Sequence, residues 1–176
     1  YFVEPFKNAY EGFWGQLSNL LEKCPVSQEI KEYCQVIKAF YTAEAQDEVI
    51  DELTAFVQKH PSFTSVYELL GCLYFDSKMW RNALAYFQKA LVDGNKALLP
   101  IIIVYDYMAA CCSSIKDYRQ EEEYYRKSLE IDRDYPYLLN NLGYCLYKQR
   151  RYGEAKALFQ ECLDKDVDTD YAANNY

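Results

Sequence analysis

A glycine recurs where a helix should not hold one, and the residues spaced around it recur as well. The stretch "LLGCLYFDSKMWRNALAYFQKAL" (69–91) is periodic in apolar residues at helical spacing, yet Gly71 lies inside it. Glycine in a helix interior costs about 1 kcal/mol relative to alanine, so something must offset it. The same arrangement returns in "YLLNNLGYCLY" (137–147). Both stretches place a large residue before Leu-Gly: Tyr67 before Leu70-Gly71, and Leu139 before Leu142-Gly143. Alanine follows twelve residues after each glycine, at Ala83 and Ala155, and phenylalanine four later, at Phe87 and Phe159. A small residue then comes at Ala90 and Cys162. The two glycines are 72 residues apart, and a degenerate copy fills the gap. In it Tyr105, Met108 and Ala109 replace the large-Leu-Gly set, and Glu121, Tyr125 and Ser128 take the three later places.

This pattern resembles the tetratricopeptide repeat, a helix-turn-helix unit of 34 residues. The resemblance implies an all-α fold, a right-handed superhelical α-solenoid of antiparallel helix pairs, with units at 64–97, 102–135 and 136–169. It also gives the glycine a reason. In such a unit the first helix crosses the second closely, and a residue without bulk lets the backbones approach. Gly71 is expected to meet the helix carrying Ala83, and Gly143 the helix carrying Ala155. Glu121 departs from the pattern. Its stem is expected to pack while its carboxylate reaches water, with a looser helix crossing.

The repeat phase extends toward both ends of the chain. Residues 30–63 read as a tetratricopeptide-like helix pair in which Ile37 and Val49 occupy the small places, ending before Pro61. His60 is expected to complement a helix C-terminus there. Residues 1–29 read as an N-terminal amphipathic helix, with Phe6, Tyr10, Phe13, Leu17, Leu20 and Leu21 on one face. Residues 170–176 read as the start of a further helix with Thr169 as its N-cap, and the chain is expected to be a piece of a longer protein. Four extra residues separate the first two units. Gly94-Asn95 is expected to end one helix and Pro100 to sit in the first turn of the next, which projects Ile101 and Ile102.

Composition removes several classes of function. A net charge of −8 argues against direct nucleic-acid binding and against anionic membrane surfaces. No apolar run approaches the ~18 residues of a membrane helix. The basic cluster Lys148, Arg150 and Arg151 reads as a solvated turn, and "QEEEYY" and "DKDVDTD" as solvated helix faces and ends. Seven cysteines occur without a C-x-x-C spacing and with a single histidine, so they read as reduced, small hydrophobes. That points to a cytoplasmic compartment with no metal and no cofactor. No phosphate-cradling glycine loop, H-E-x-x-H or Cys–His pairing is present, so catalysis is not expected.

The resemblance implies that function lives on the concave face, lined by the first helix of each unit. The candidate partner-binding residues there are Glu68, Cys72 and Asp76, then Asp106 and Tyr107, then Tyr137, Asn140, Asn141, Tyr144, Tyr147 and Lys148. The expected partner is another protein or a peptide. Its basic end would face Glu68, Asp76 and Asp106, and its remainder the tyrosines. Repeats of this family that hold the acidic tails of heat-shock chaperones use a Lys, Asn and Arg clamp. The corresponding places here hold Glu68 and Cys72, Tyr107, and Tyr137 and Asn141, so that ligand is not expected. Two other readings stand beside groove binding: self-association through the solenoid ends, and a regulatory input domain of a larger enzyme or transcription regulator.

Overall fold

The computed structural model describes residues 16, 17, 19, 23, 26–42, 46–93, 99–133 and 136–165. Eight α-helices have both ends there, and no β-strand occurs among the described residues. They are α1 (Gln28–Thr42), α2 (Gln46–Lys59), α3 (Thr64–Asp76), α4 (Trp80–Ala90), α5 (Ile101–Ser114), α6 (Tyr118–Ile131), α7 (Pro136–Lys148) and α8 (Tyr152–Lys165). Each helix packs mainly on those before and after it in sequence, and α3 also touches α5. The helices therefore form a row of hairpins, the arrangement of a solenoid. Most of the expected N-terminal helix within residues 1–29, the turn at Gly94-Asn95 and the segment 170–176 lie outside the described residues.

Helical spacing of apolar residues sets which face each helix buries. In α2 the buried set is Val49, Leu53, Phe56 and Val57, with Asp47 and Glu48 in the first turn and Lys59 in the last, where each complements the helix dipole. In α4 it is Ala83, Leu84, Phe87 and Ala90, and in α8 Ala155, Phe159 and Cys162. One core cluster runs from α4 to α8, and a second joins α2 to α3 with side chains of α1 packed on it. The glycine contact is sharper than the sequence suggested. Gly71 and Gly143 do face the helices carrying Ala83 and Ala155, but the atoms they accommodate belong to the rings of Phe87 and Phe159.

The three hairpin turns after α3, α5 and α7 repeat the same hydrogen bonds. Lys78 N–H donates to Phe75 O at 2.9 Å, Lys116 N–H to Ser113 O at 3.0 Å, and Arg150 N–H to Tyr147 O at 2.9 Å. The following residues reach further back, Met79 to Tyr74 O and Asp117 to Cys112 O at 2.8 Å, and Arg151 to Leu146 O at 3.0 Å. These bonds satisfy carbonyls at the end of each first helix. Asp117 then caps α6 by accepting from Gln120 N–H at 3.2 Å, while the Gln120 side chain donates back to it at 2.6 Å.

Several local expectations are corrected. Glu121 is 2% exposed, and its carboxylate does not reach water: Lys148 Nζ donates to both oxygens at 2.7 and 2.8 Å. The α5–α6 crossing is nearly as extensive as the other two. The basic cluster is only partly a solvated turn, because Arg151 pairs with Glu122 and Glu154 at 2.6 Å each. All three acids in "QEEEYY" are paired, Glu121 with Lys148, Glu122 with Arg151 and Arg126, and Glu123 with Lys127 at 2.8 Å. His60 spans two acids of α1, with Nδ1 3.2 Å from Glu29 and Nε2 2.9 Å from Glu32, rather than only ending α2. Pro100 sits at the N-cap of α5, one residue before its first turn, and leaves Ile101 and Ile103 exposed.

Candidate functional site

The tyrosines of α7 arise from its helical register. Its buried side carries Leu138, Leu139, Leu142, Cys145 and Leu146, so Tyr137, Tyr144 and Tyr147 are left facing outward. They are 43%, 48% and 53% exposed, and Tyr152 at the start of α8 is 56% exposed. Tyr144 and Tyr147 stack with centroids 6.2 Å apart and planes 10° apart, and Tyr147 lies 5.4 Å from Tyr152. Ring stacking at these distances supports each orientation without burying the hydroxyl ends. Lys148 Nζ sits 5.2 Å from the Tyr144 ring centre and 4.9 Å from that of Tyr118. It also donates to Ser113 Oγ at 2.7 Å, so with Glu121 its charge is fully committed inside the protein.

Asp106 on α5 accepts hydrogen bonds from the side chains of Asn141 and Tyr137 on α7. Burial pushes its carboxyl above the usual carboxylate range, and those two donors act against that rise. Asp106 thus joins the tyrosine end of the face instead of forming an opposite acidic stretch. Tyr107 is half-buried, edge-on to Phe75 of α3 at 4.9 Å and stacked on Phe87 at 5.3 Å. Burial raises its phenol, and Cys72, Asp76 and Asp106 add to the rise. The face therefore runs continuously across α3, α5 and α7.

Besides Lys148, two further candidates do not present to a ligand. Glu68 is 1% exposed, and its Oε2 accepts the Leu99 N–H at 3.0 Å, tying α3 to the approach to α5. Asn140 is 6% exposed. Both lie three residues before their unit's Gly, which places them on the core side of the first helix. Asp76 is exposed, Cys72 half-buried, and Asn141 half-buried against Asp106. The ion pair from Lys148 to Glu121 was missed in the sequence. Its one signal was an acid at a place that holds alanine in the neighbouring units.

The buried cysteines are held in the thiol form. Burial pushes the thiols of Cys72, Cys111 and Cys112 up to about 12 and that of Cys145 to about 11, far from the thiolate form. The described cysteines are free of disulfides, and no cluster of metal-ligating side chains occurs among the described residues. No described helix is long and apolar enough to cross a membrane.

A row of helix hairpins bearing an aromatic face defines the class as an α-solenoid repeat protein. Two family models described as "Tetratricopeptide repeat" match residues 136–167 and 108–135. Residues 108–135 and 136–167 are tetratricopeptide repeats. Its fold is similar to that of MamA in a crystal structure, at 16% identity, covering 94% of this chain and 95% of that one with a TM-score of 0.68. It is also similar to the Arabidopsis OM64 TPR domain, at 20% identity, covering 64% of this chain and 90% of that one with a TM-score of 0.55. A third similar structure is the first TPR domain of Spaghetti (RPAP3) bound to the HSP90 peptide SRMEEVD, at 17% identity, covering 65% and 87% with a TM-score of 0.55. No curated protein sequence matches the chain significantly.

Proposed function

We propose that the chain is a protein-interaction scaffold, organised in units at 30–63, 64–97, 102–135 and 136–169, that holds a segment of a partner protein against the face of α3, α5 and α7. The observation that carries this reading is the connected, outward-facing row Tyr144, Tyr147 and Tyr152, joined through α7 to the Asp106–Asn141–Tyr137 group. Exposed tyrosines combine apolar area with a hydrogen-bonding tip at low entropic cost, which suits them to recognition. Asp76, exposed at the end of α3, favours a basic residue at one end of the ligand. The similarity to a domain holding an HSP90 peptide supports peptide binding as a use of this fold. It does not extend to that ligand, because a buried acid, Glu68, stands where the chaperone-binding pattern has a cation. The test is to select peptides by display against the chain and map one by amide chemical shifts. The reading expects perturbations grouped on α5 and α7; shifts confined to α2 or α8 would contradict it.

A further inference from the structure

Only three non-glycine residues among those described have a positive φ, and all three are cations: Lys78 at 58°, Lys116 at 63° and Arg150 at 63°. Each lies seven residues after the small residue of its unit, Gly71, Ala109 or Gly143, at the hairpin turn. Left-handed backbone disfavours any side chain with a Cβ, and glycine or asparagine is the residue that turn would ordinarily select. A lysine or arginine there in three consecutive units is not explained by the turn itself. Three residues further on, Arg81 and Arg119 extend the same edge. All five cations are exposed, and none has an ion pair among the described residues. Of the acids near these turns, Asp117 caps α6 while still bordering the site, Glu154 pairs with Arg151, and Asp76 is exposed at the end of α3.

Part of this edge borders one open, shallow depression. It has a volume of about 640 Å³ and is lined by Arg81 at the start of α4, Ile115, Lys116 and Asp117 at the second turn, Tyr118 and Arg119 at the start of α6, and Gln149 at the third turn, with Lys78 and Arg150 outside its lining. In a chain of net charge −8, a ridge of unpaired cations beside a depression with a tyrosine wall is a local reversal of sign. The geometry points to a second docking surface, distinct from the tyrosine face, that receives an acidic segment of another protein. Its carboxylates would meet Lys78, Arg81, Lys116 and Arg119, and one apolar or aromatic side chain would enter beside Tyr118 and Ile115. A short acidic segment fits better than an extended polyanion. Asp47, Glu48, Asp51 and Glu52 are all exposed on α2, and they would repel a nucleic acid or an anionic bilayer approaching the solenoid broadly.

The experiment is a titration at low ionic strength of a fluorescent Asp/Glu-rich peptide carrying one phenylalanine. Lys116→Glu/Arg119→Glu should weaken its binding by about tenfold or more, and added salt should do the same. Tyr144→Ala/Tyr147→Ala should leave it unchanged, which separates this surface from the proposed function. Lys116→Gly separates recognition from folding: it should raise the melting temperature, because glycine accepts the left-handed turn, while lowering affinity. Equal binding by wild type and the charge-reversed variant would overturn the proposal, as would no detectable binding by wild type. Binding of phosphatidylserine vesicles or single-stranded DNA through these cations, with none of the peptide, would overturn it in favour of another polyanion.

Discussion

A side-chain carbon placed on Gly143 would lie 2.6 Å from Cε1 of Phe159, and one on Gly71 would lie 2.7 Å from the ring of Phe87. Both phenylalanines are buried, so their rings have little room to withdraw. Overpacking of this kind costs ~1–3 kcal/mol, and it outweighs the ~1 kcal/mol of helix propensity that alanine would gain. Gly143→Leu should lower stability by about 3 kcal/mol in denaturant unfolding. Gly143→Ala should lower it less, and Phe159→Leu in the same chain should recover part of that loss, giving a coupled double-mutant cycle. Additive effects would mean that the glycine does not serve this ring.

The pair from Lys148 to Glu121 links two units at positions where the neighbouring units place alanine at the acid's site. Burial raises the Glu121 carboxyl and Lys148 opposes that rise, so removing the lysine alone strands a charge. Lys148→Met should cost ~3–5 kcal/mol, whereas Lys148→Met/Glu121→Ala should return to within about 1 kcal/mol of wild type or exceed it. Chemical denaturation of the three proteins checks this. A double variant no more stable than the single one would contradict it.

Acid should loosen the α1–α2 hairpin. Lys59 donates to both oxygens of Glu32 at 2.8 and 2.7 Å, and His60 Nε2 lies 2.9 Å from one of them. Lys59 first and His60 second hold the Glu32 carboxyl down at about 2, from an ordinary 4.5. A depressed carboxylate contributes stability that is present above the unfolded value and lost as the pH falls through the folded one. The advantage of wild type over Glu32→Gln in melting temperature should therefore be full at about pH 5 and vanish near about pH 2. A pH-independent difference between the two proteins would contradict the ionic origin of the contact.

Much of the fold was legible because Leu-Gly, Ala and Phe recur in phase and each marks a helix crossing. The ring facing each glycine was less legible, since Ala83 and Phe87 lie on the same helix and spacing alone does not say which touches Gly71. Glu121 was misread because its partner lies 27 residues away in the next unit, and a unit read by itself leaves the acid only water. Glu68 and Asn140 were placed on the ligand face by their polarity. Their register, three residues before the glycine, turns them inward instead. The turn cations were in plain view at a constant distance from each small residue, but sequence does not report φ. From sequence alone Arg150 reads as part of a solvated turn, and nothing marks Lys78 and Lys116.

The central claim is that the tyrosine face of α7 carries partner recognition. It is tested most directly by the affinity of one display-selected peptide for wild type and for Tyr144→Ala/Tyr147→Ala, measured by calorimetry on proteins with matched helicity. Aromatic hot spots exceed ~2 kcal/mol while exposed ion pairs give about 0–1 kcal/mol. The tyrosine variant should therefore bind about thirtyfold or more weakly, against a change of less than about fivefold for Asp76→Asn. Equal affinity of wild type and the tyrosine variant would contradict the account and move recognition off this face.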